Sequence, residues 1–136
     1  MMSQSSSLQG VQVVSLAINL PGPLAAARLR ALGATVTKIE PPAGDPLRAV
    51  APTWYDELTV GQRVVTLDLK DPADRAVAAR ELSRADLMLT AMRPSALVKL
   101  GLDELTAANP HLSHIEIVGH DGMDPHVRRV ALARLR

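Results

Sequence analysis

The chain has no cysteine and no phenylalanine, and Trp54 and Tyr55 are its only aromatic residues. Without cysteine there is no disulfide, no thiolate metal site and no cysteine nucleophile, a pattern that fits a cytoplasmic protein. With two aromatic side chains, stacking platforms for bases are scarce. An excess of one charge is lacking too: 15 basic against 14 acidic residues leave a net charge of +1. Bulk electrostatics therefore give no reason to expect a nucleic-acid partner. No stretch approaches the roughly 18 consecutive apolar residues of a membrane span. Met1 to Gln9 is serine-rich and lacks the basic and apolar parts of a signal peptide, so residues 1–9 are expected to be a disordered tail.

What is present is a 136-residue chain, 47% hydrophobic and 21% charged. That length supports one domain with a modest core, built here from Val, Leu, Ile and Ala. Val11 to Ala17 reads as a strand buried on both faces. Pro21-Gly22-Pro23 ends it. Leu24 to Leu32 follows as a helix, with Pro23 at its first position and Gly33 at its C′ position. Thr35 to Ile39 is a second strand. Strand, helix and strand within about 30 residues imply parallel pairing through a right-handed crossover. Pro41 to Arg63, with prolines at 41, 42, 46 and 52, reads as a long loop of the kind that is usually functional or mobile. Val64 to Leu69 is a third strand. Asp71 and Pro72 then supply an N-cap and a first helical residue for a helix to about Arg84. Ala85 to Thr90 is a fourth strand. Pro94 to Leu100 is a short helix, and Asp103 caps another that ends at Asn109-Pro110. His114 to Val118 is a fifth strand.

These elements predict an α/β fold over residues 10–125: a doubly wound, parallel, five-stranded Rossmann-like sheet in the order 3-2-1-4-5. Residues 126–136 read as a short basic amphipathic tail. Sheets of this kind bind ligands beyond the carboxyl ends of their strands. Those ends fall at Asn19-Leu20, Glu40-Pro41, Asp68 to Lys70, Ala91 to Arg93, and from Gly119 onward.

The first turn, Asn19 to Pro23, has one glycine where a dinucleotide site needs G-x-G-x-x-G, which argues against NAD and FAD. Glu40 and Asp86 stand near strand ends, as general bases or as solvated or capping carboxylates. Asp68 and Lys70 share a face if their strand continues, holding a small polar ligand or forming a weak surface pair. Arg93 follows the fourth strand directly. Its fork of donors suits a phosphate, although an exposed arginine reads the same way. Lys70 and Arg63 would extend a basic rim. The histidines at 111, 114, 120 and 126 match no metal-ligand spacing, so no metal is expected. In Gly119-His120-Asp121 a histidine beside an aspartate can exchange protons, or the three residues form a plain polar loop.

Ten segments in order carry a resemblance. They are Leu8-Gln9-Gly10-Val11, Leu20-Pro21-Gly22-Pro23, Leu32-Gly33-Ala34, Ile39-Glu40-Pro41-Pro42, Gly44-Asp45-Pro46-Leu47-Arg48, Leu67-Asp68-Leu69-Lys70, Ala85-Asp86-Leu87, Arg93-Pro94-Ser95-Ala96-Leu97, Leu100-Gly101-Leu102 and Asn109-Pro110. In these the chain resembles the N-terminal part of the class III CoA-transferases, the CaiB/BaiF type that includes the α-methylacyl-CoA racemases. The resemblance implies a Rossmann-like domain that binds CoA at its strand ends, in pairs of chains interlocked like links. Carried over by position, CoA contacts fall on Asn19, Leu20, Leu67, Lys70, Ala91, Met92 and Arg93. The family often has Asn-Phe or Asn-Tyr where Ala91-Met92 stand, so an amide or aromatic contact is missing.

In the transferases a catalytic aspartate forms the acyl intermediate. It lies several tens of residues past the position of Arg136, and nothing in this chain matches it. His120 and Asp121 carry the letters of the racemase motif. By spacing from Asn109-Pro110 they align with an earlier glycine-rich turn, so they stand only as secondary catalytic candidates. The resemblance thus implies a CoA-binding domain or fragment that is inactive alone, with CoA or acyl-CoA as ligand and no metal. A homodimer, or a second chain supplying the missing half, is the expected partner, with neither nucleic acid nor membrane. The alternatives are an association module that kept the fold, or a racemase-like enzyme using His120 and Asp121.

Overall fold

The computed structural model of the chain describes residues 7–118. Among them, strands β1 (Gln12–Ser15), β2 (Thr35–Glu40), β3 (Arg63–Thr66), β4 (Leu87–Thr90) and β5 (Ser113–Glu116) form one sheet. Its order is β3-β2-β1-β4-β5, as the sequence predicts. Every pairing is parallel, with Val13 opposite both Val36 and Leu87. The connecting helices are α1 (Pro21–Ala31), α2 (Pro46–Val50), α3 (Pro52–Thr59), α4 (Pro72–Ser83), α5 (Pro94–Lys99) and α6 (Leu102–Ala107).

Alternate residues of the central strands feed two cores. Val13, Ala17, Val36 and Leu89 pack with Ala26 of α1 on one face. Val14, Leu16, Ile39 and Met88 pack with Leu82 of α4, Leu97 of α5 and Leu102 of α6 on the other. A strand covered on both faces has no solvated side, which is why β1 reads as an apolar run without alternation. β3 is an edge strand, with Arg63, Val64 and Thr66 exposed.

Proline marks helix starts here more often than the sequence pattern suggests. α1 begins at Pro21, so Pro21-Gly22-Pro23 is its first turn and not a preface to it. The first turn has no intrahelical use for the N–H groups that proline lacks. Gly33, at φ 109°, closes the other end. Its N–H donates to the Arg30 carbonyl at 3.0 Å, and the Ala34 N–H donates to Leu29 at 3.1 Å, which is a Schellman closure.

The segment from 41 to 63 is not one long loop. Pro46 and Pro52 open α2 and α3 in the same way, and the Asp45 side chain caps α2 by accepting the Leu47 N–H at 3.0 Å. β3 stops at Thr66, so Asp68 and Lys70 lie in a turn and not along one strand face. There Asp68 accepts the Lys70 N–H at 3.0 Å through its side chain. Asp71 occupies the N-cap of α4 without a side-chain bond, and Asp74 reaches back instead to the Asp68 N–H at 2.8 Å. Gly101, at φ 70°, is the N-cap of α6, and Asp103 falls inside the first turn.

Candidate functional site

The carboxyl ends of β1 to β4 surround a cleft of about 620 Å³. Its walls are mostly aliphatic, with Leu16, Ile39, Leu67 and Met92 inside and Asn19, Asp68 and Lys70 as polar members. Asn19, Leu67, Lys70, Ala91 and Met92 come from three separate turns and meet at this one cleft. Leu20 and Arg93 do not line it. Leu20 is the N-cap of α1, and Arg93 is the exposed N-cap of α5, one residue beyond Met92. His120 and Asp121 lie outside the described residues.

One wall depends on a glycine. A Cβ on Gly22 would stand 2.1 Å from the Ala17 Cβ and 3.2 Å from the Ala91 Cβ. The missing side chain lets the start of α1 press against the ends of β1 and β4.

A second wall depends on a buried charge network. Lys38 and Glu40 alternate to the same face of β2, with Ile39 on the other. The Lys38 ammonium lies 2.5 Å from Asp45 Oδ2 and 3.3 Å from Glu40 Oε2. The Tyr55 hydroxyl donates to Glu40 Oε2 at 2.5 Å, and the ring of Tyr55 lies beneath Lys38, 4.9 Å from Nζ to its centroid. Asp45 Oδ1 accepts the N–H groups of Leu47 and, at 2.8 Å, of Asn19. Burial pushes the Asp45 carboxyl up, but the hydrogen bond from Lys38 and those two N–H groups outweigh it and hold it below the ordinary 3.8. Burial, then the hydrogen bond to Glu40, push the Tyr55 phenol up to about 12.

The sequence pattern does not reveal this network. Its signal is a lysine and a glutamate within a strand covered on both faces, where neither charge can stay unpaired. Glu40 is accordingly neither a solvated carboxylate nor a cap.

Two other candidates sit at the wrong edge of the sheet. Asp86 precedes β4 and accepts the Gln12 N–H at 2.8 Å, where the strands begin. Arg63 opens β3 and pairs with Glu81 at 3.2 Å. In a parallel sheet the strands all start on one side, so neither residue reaches the cleft.

His111 is exposed in the turn before β5, whereas His114 is buried with Nε2 2.8 Å from Thr90 Oγ1. The described residues hold no group of three or more His, Cys, Asp or Glu able to bind a metal ion. No helix among them is long and apolar enough to cross a membrane. A second hollow of about 570 Å³ lies between α5, α6 and the turn that feeds β5, lined by Val98, Asp103, Asn109 and His114 among others.

Comparison with known proteins gives the site its context. Residues 8–134 match the model of CoA-transferase family III. The chain is 35% identical over 138 residues to cinnamoyl-CoA:phenyllactate CoA-transferase of Clostridium sporogenes, covering 92% of this chain and 34% of that protein. It is 34% identical over 117 residues to human alpha-methylacyl-CoA racemase, covering 83% of this chain and 28% of that one. Among solved structures it is similar to a CAIB/BAIF family protein of Brucella suis, with a TM-score of 0.80 and 31% identity over 91% of this chain and 36% of that one. A hypothetical protein of Mycobacterium tuberculosis gives a TM-score of 0.79 and 35% identity over 89% of this chain and 36% of that one. The chain spans about a third of the length of the curated relatives it matches. It belongs to CoA-transferase family III and corresponds to the N-terminal region of that family's proteins.

Proposed function

We propose that this chain is the CoA-binding part of a family III CoA-transferase or racemase-like protein, and that CoA or an acyl-CoA occupies the strand-end cleft. The convergence of Asn19, Leu67, Lys70, Ala91 and Met92 on that cleft is the observation that supports it. The aliphatic walls suit the apolar parts of such a ligand, and Lys70 and the neighbouring Arg93 offer cations to its phosphates. Transfer of the acyl group needs a nucleophilic carboxylate, and we assign that group to residues beyond those of this chain. The chain by itself then binds CoA without transferring it. His120 and Asp121 are left as the racemase-like alternative.

A partner is part of the same proposal. Val50 and Trp54 are exposed on α2 and α3, Val60 just past the end of α3, and Val64 on the edge strand. Apolar surface of this kind fits a second copy of the chain or a chain that completes the fold.

Calorimetric titration with CoA, with Arg93→Ala alongside, tests the proposal. Micromolar binding that Arg93→Ala weakens by about 1–3 kcal/mol, the scale of a charged hydrogen bond, is the expected result. No binding by a chain shown to be folded refutes it and favours an association module with a relic fold.

A further inference from the structure

Asp45 lines no part of the strand-end cleft, yet it is tied to two of the cleft's walls. We propose that Asp45 is a positioning residue for the ligand of that cleft, acting through the backbone of Asn19 and the segment 41–45. The proposal rests on the CoA reading of the cleft.

Asn19 is the one non-glycine residue at positive φ among those described, at 71°. An L-residue in that region is strained and stays there only where its surroundings hold it, although asparagine tolerates it better than most. Here the fixing contact is the Asn19 N–H donated to Asp45 Oδ1 at 2.8 Å. The same oxygen starts α2 through Leu47, and the other oxygen is locked by Lys38. Asp45 is 3% exposed, so water does not compete for these bonds. Pro41, Pro42 and Ala43 line the cleft, and they span the short reach between Glu40, held by Lys38 and Tyr55, and Asp45. One buried carboxylate therefore sets the shape of the β1–α1 turn and of the β2–α2 segment together. The two segments are 26 residues apart in sequence at their contact. The charged and titratable groups around it are Lys38 and Glu40 from β2, Tyr55 from α3, and Arg48 from α2, whose guanidinium lies 5.5 Å from the Tyr55 ring centroid.

A site preset in this way loses no affinity to ordering its walls when ligand arrives. If removing the anchor leaves the ligand-ready arrangement populated about a tenth of the time, the apparent Kd rises about tenfold.

The test is CoA titration of the full chain as wild type, as Asp45→Ala and as the double variant Lys38→Met with Asp45→Asn. It is run well below the melting temperature of each and is paired with the Asn19 backbone amide resonance. The double variant keeps a neutral acceptor for the Asn19 N–H and removes the ammonium that would face an amide. Asp45→Ala is expected to bind about tenfold more weakly and to shift the Asn19 resonance upfield. The double variant is expected to recover most of the affinity, although its melting temperature also differs from wild type. A purely structural role for Asp45 would change melting, and would move the Asn19 resonance through the lost acceptor, but leave the Kd in place, and an unchanged Kd overturns the proposal. If Asp45→Ala does not fold, a double variant that folds with its Asn19 amide in place yet binds about tenfold more weakly, or one whose Asn19 amide is displaced while its Kd stays at the wild-type value, overturns it as well. Wild type that fails to bind CoA refutes the ligand assignment of the cleft itself, whereas binding that is indifferent to Asp45 refutes the Asp45 role alone.

Discussion

Replacing Lys38 by Met removes the one buried cation from a site with two buried carboxylates, leaving only the exposed Arg48 nearby. The side chains of Lys38, Glu40 and Asp45 are 2%, 4% and 0% exposed. Breaking a buried ion pair from one side costs about 3–5 kcal/mol, because the partner's charge stays buried without compensation. Two features hold the cost near the lower end. Asp45 still accepts the Asn19 and Leu47 N–H groups, and Glu40 still accepts the Tyr55 hydroxyl. A loss of about 3 kcal/mol at neutral pH follows, a large share of the roughly 5–15 kcal/mol that stabilises a domain. With a urea m-value of about 2 kcal/mol per molar, the unfolding midpoint falls by about 1.5 M.

The pH dependence of that loss has a definite sign. In the wild type the Asp45 carboxyl titrates below its ordinary 3.8. A depressed folded value means stability that is present above the unfolded value and disappears as pH falls through the folded one. In Lys38→Met the main depressing contact is gone and burial pushes the carboxyl up. The variant can then take up a proton at moderately acidic pH, which relieves its buried charge. The gap between wild type and variant should therefore narrow from pH 7 towards pH 4. Urea unfolding followed by circular dichroism at both ends of that range reads it. A gap under about 1 kcal/mol at pH 7, or one that does not change with pH, refutes the buried-network account.

Tyr55 is the only tyrosine, so its ionisation is visible directly in phenolate absorbance. Its folded value, pushed up to about 12 from 10.0, means stability fully present below pH 10 and lost as pH rises through about 12, worth about 3 kcal/mol at most; a midpoint near 10 in the folded chain contradicts the Glu40 contact. Gly22→Ala should destabilise by about 1–3 kcal/mol through overpacking against Ala17, although the same change in a solvated helix is stabilising, and thermal melts decide the sign. Leu82→Ala, at a side chain with no exposure, should cost about 2–5 kcal/mol in denaturant unfolding, since it opens a void between α4 and the sheet.

The sheet was legible because its signals are local and redundant. Apolar runs such as Val13-Val14, the closing Gly33 and the strand–helix alternation all point the same way. The helices α2 and α3 were hidden because Pro46 and Pro52 look like breakers until their position at a first turn is known. Lys38 was hidden for a different reason. Its partners Glu40 and Asp45 flank a proline-rich bend, and only the fold brings Asp45 back over β2. Arg63 and Asp86 show the opposite error: residue type suggested function, but the parallel sheet puts them at its starting edge. The turn residues Asn19, Lys70 and Ala91 were easier to place, because the carboxyl ends of parallel strands gather on one side whatever the side chains are.

The most direct test of the central claim is a residue-resolved titration of the isotope-labelled chain with CoA, followed by its amide resonances. The account predicts shifts at Asn19, Leu67, Lys70, Ala91 and Met92 that saturate together with one Kd, while Asp103, Thr106 and Asn109 beside the second hollow stay in place. Shifts gathered at that second hollow, or none anywhere in a folded chain, would contradict it.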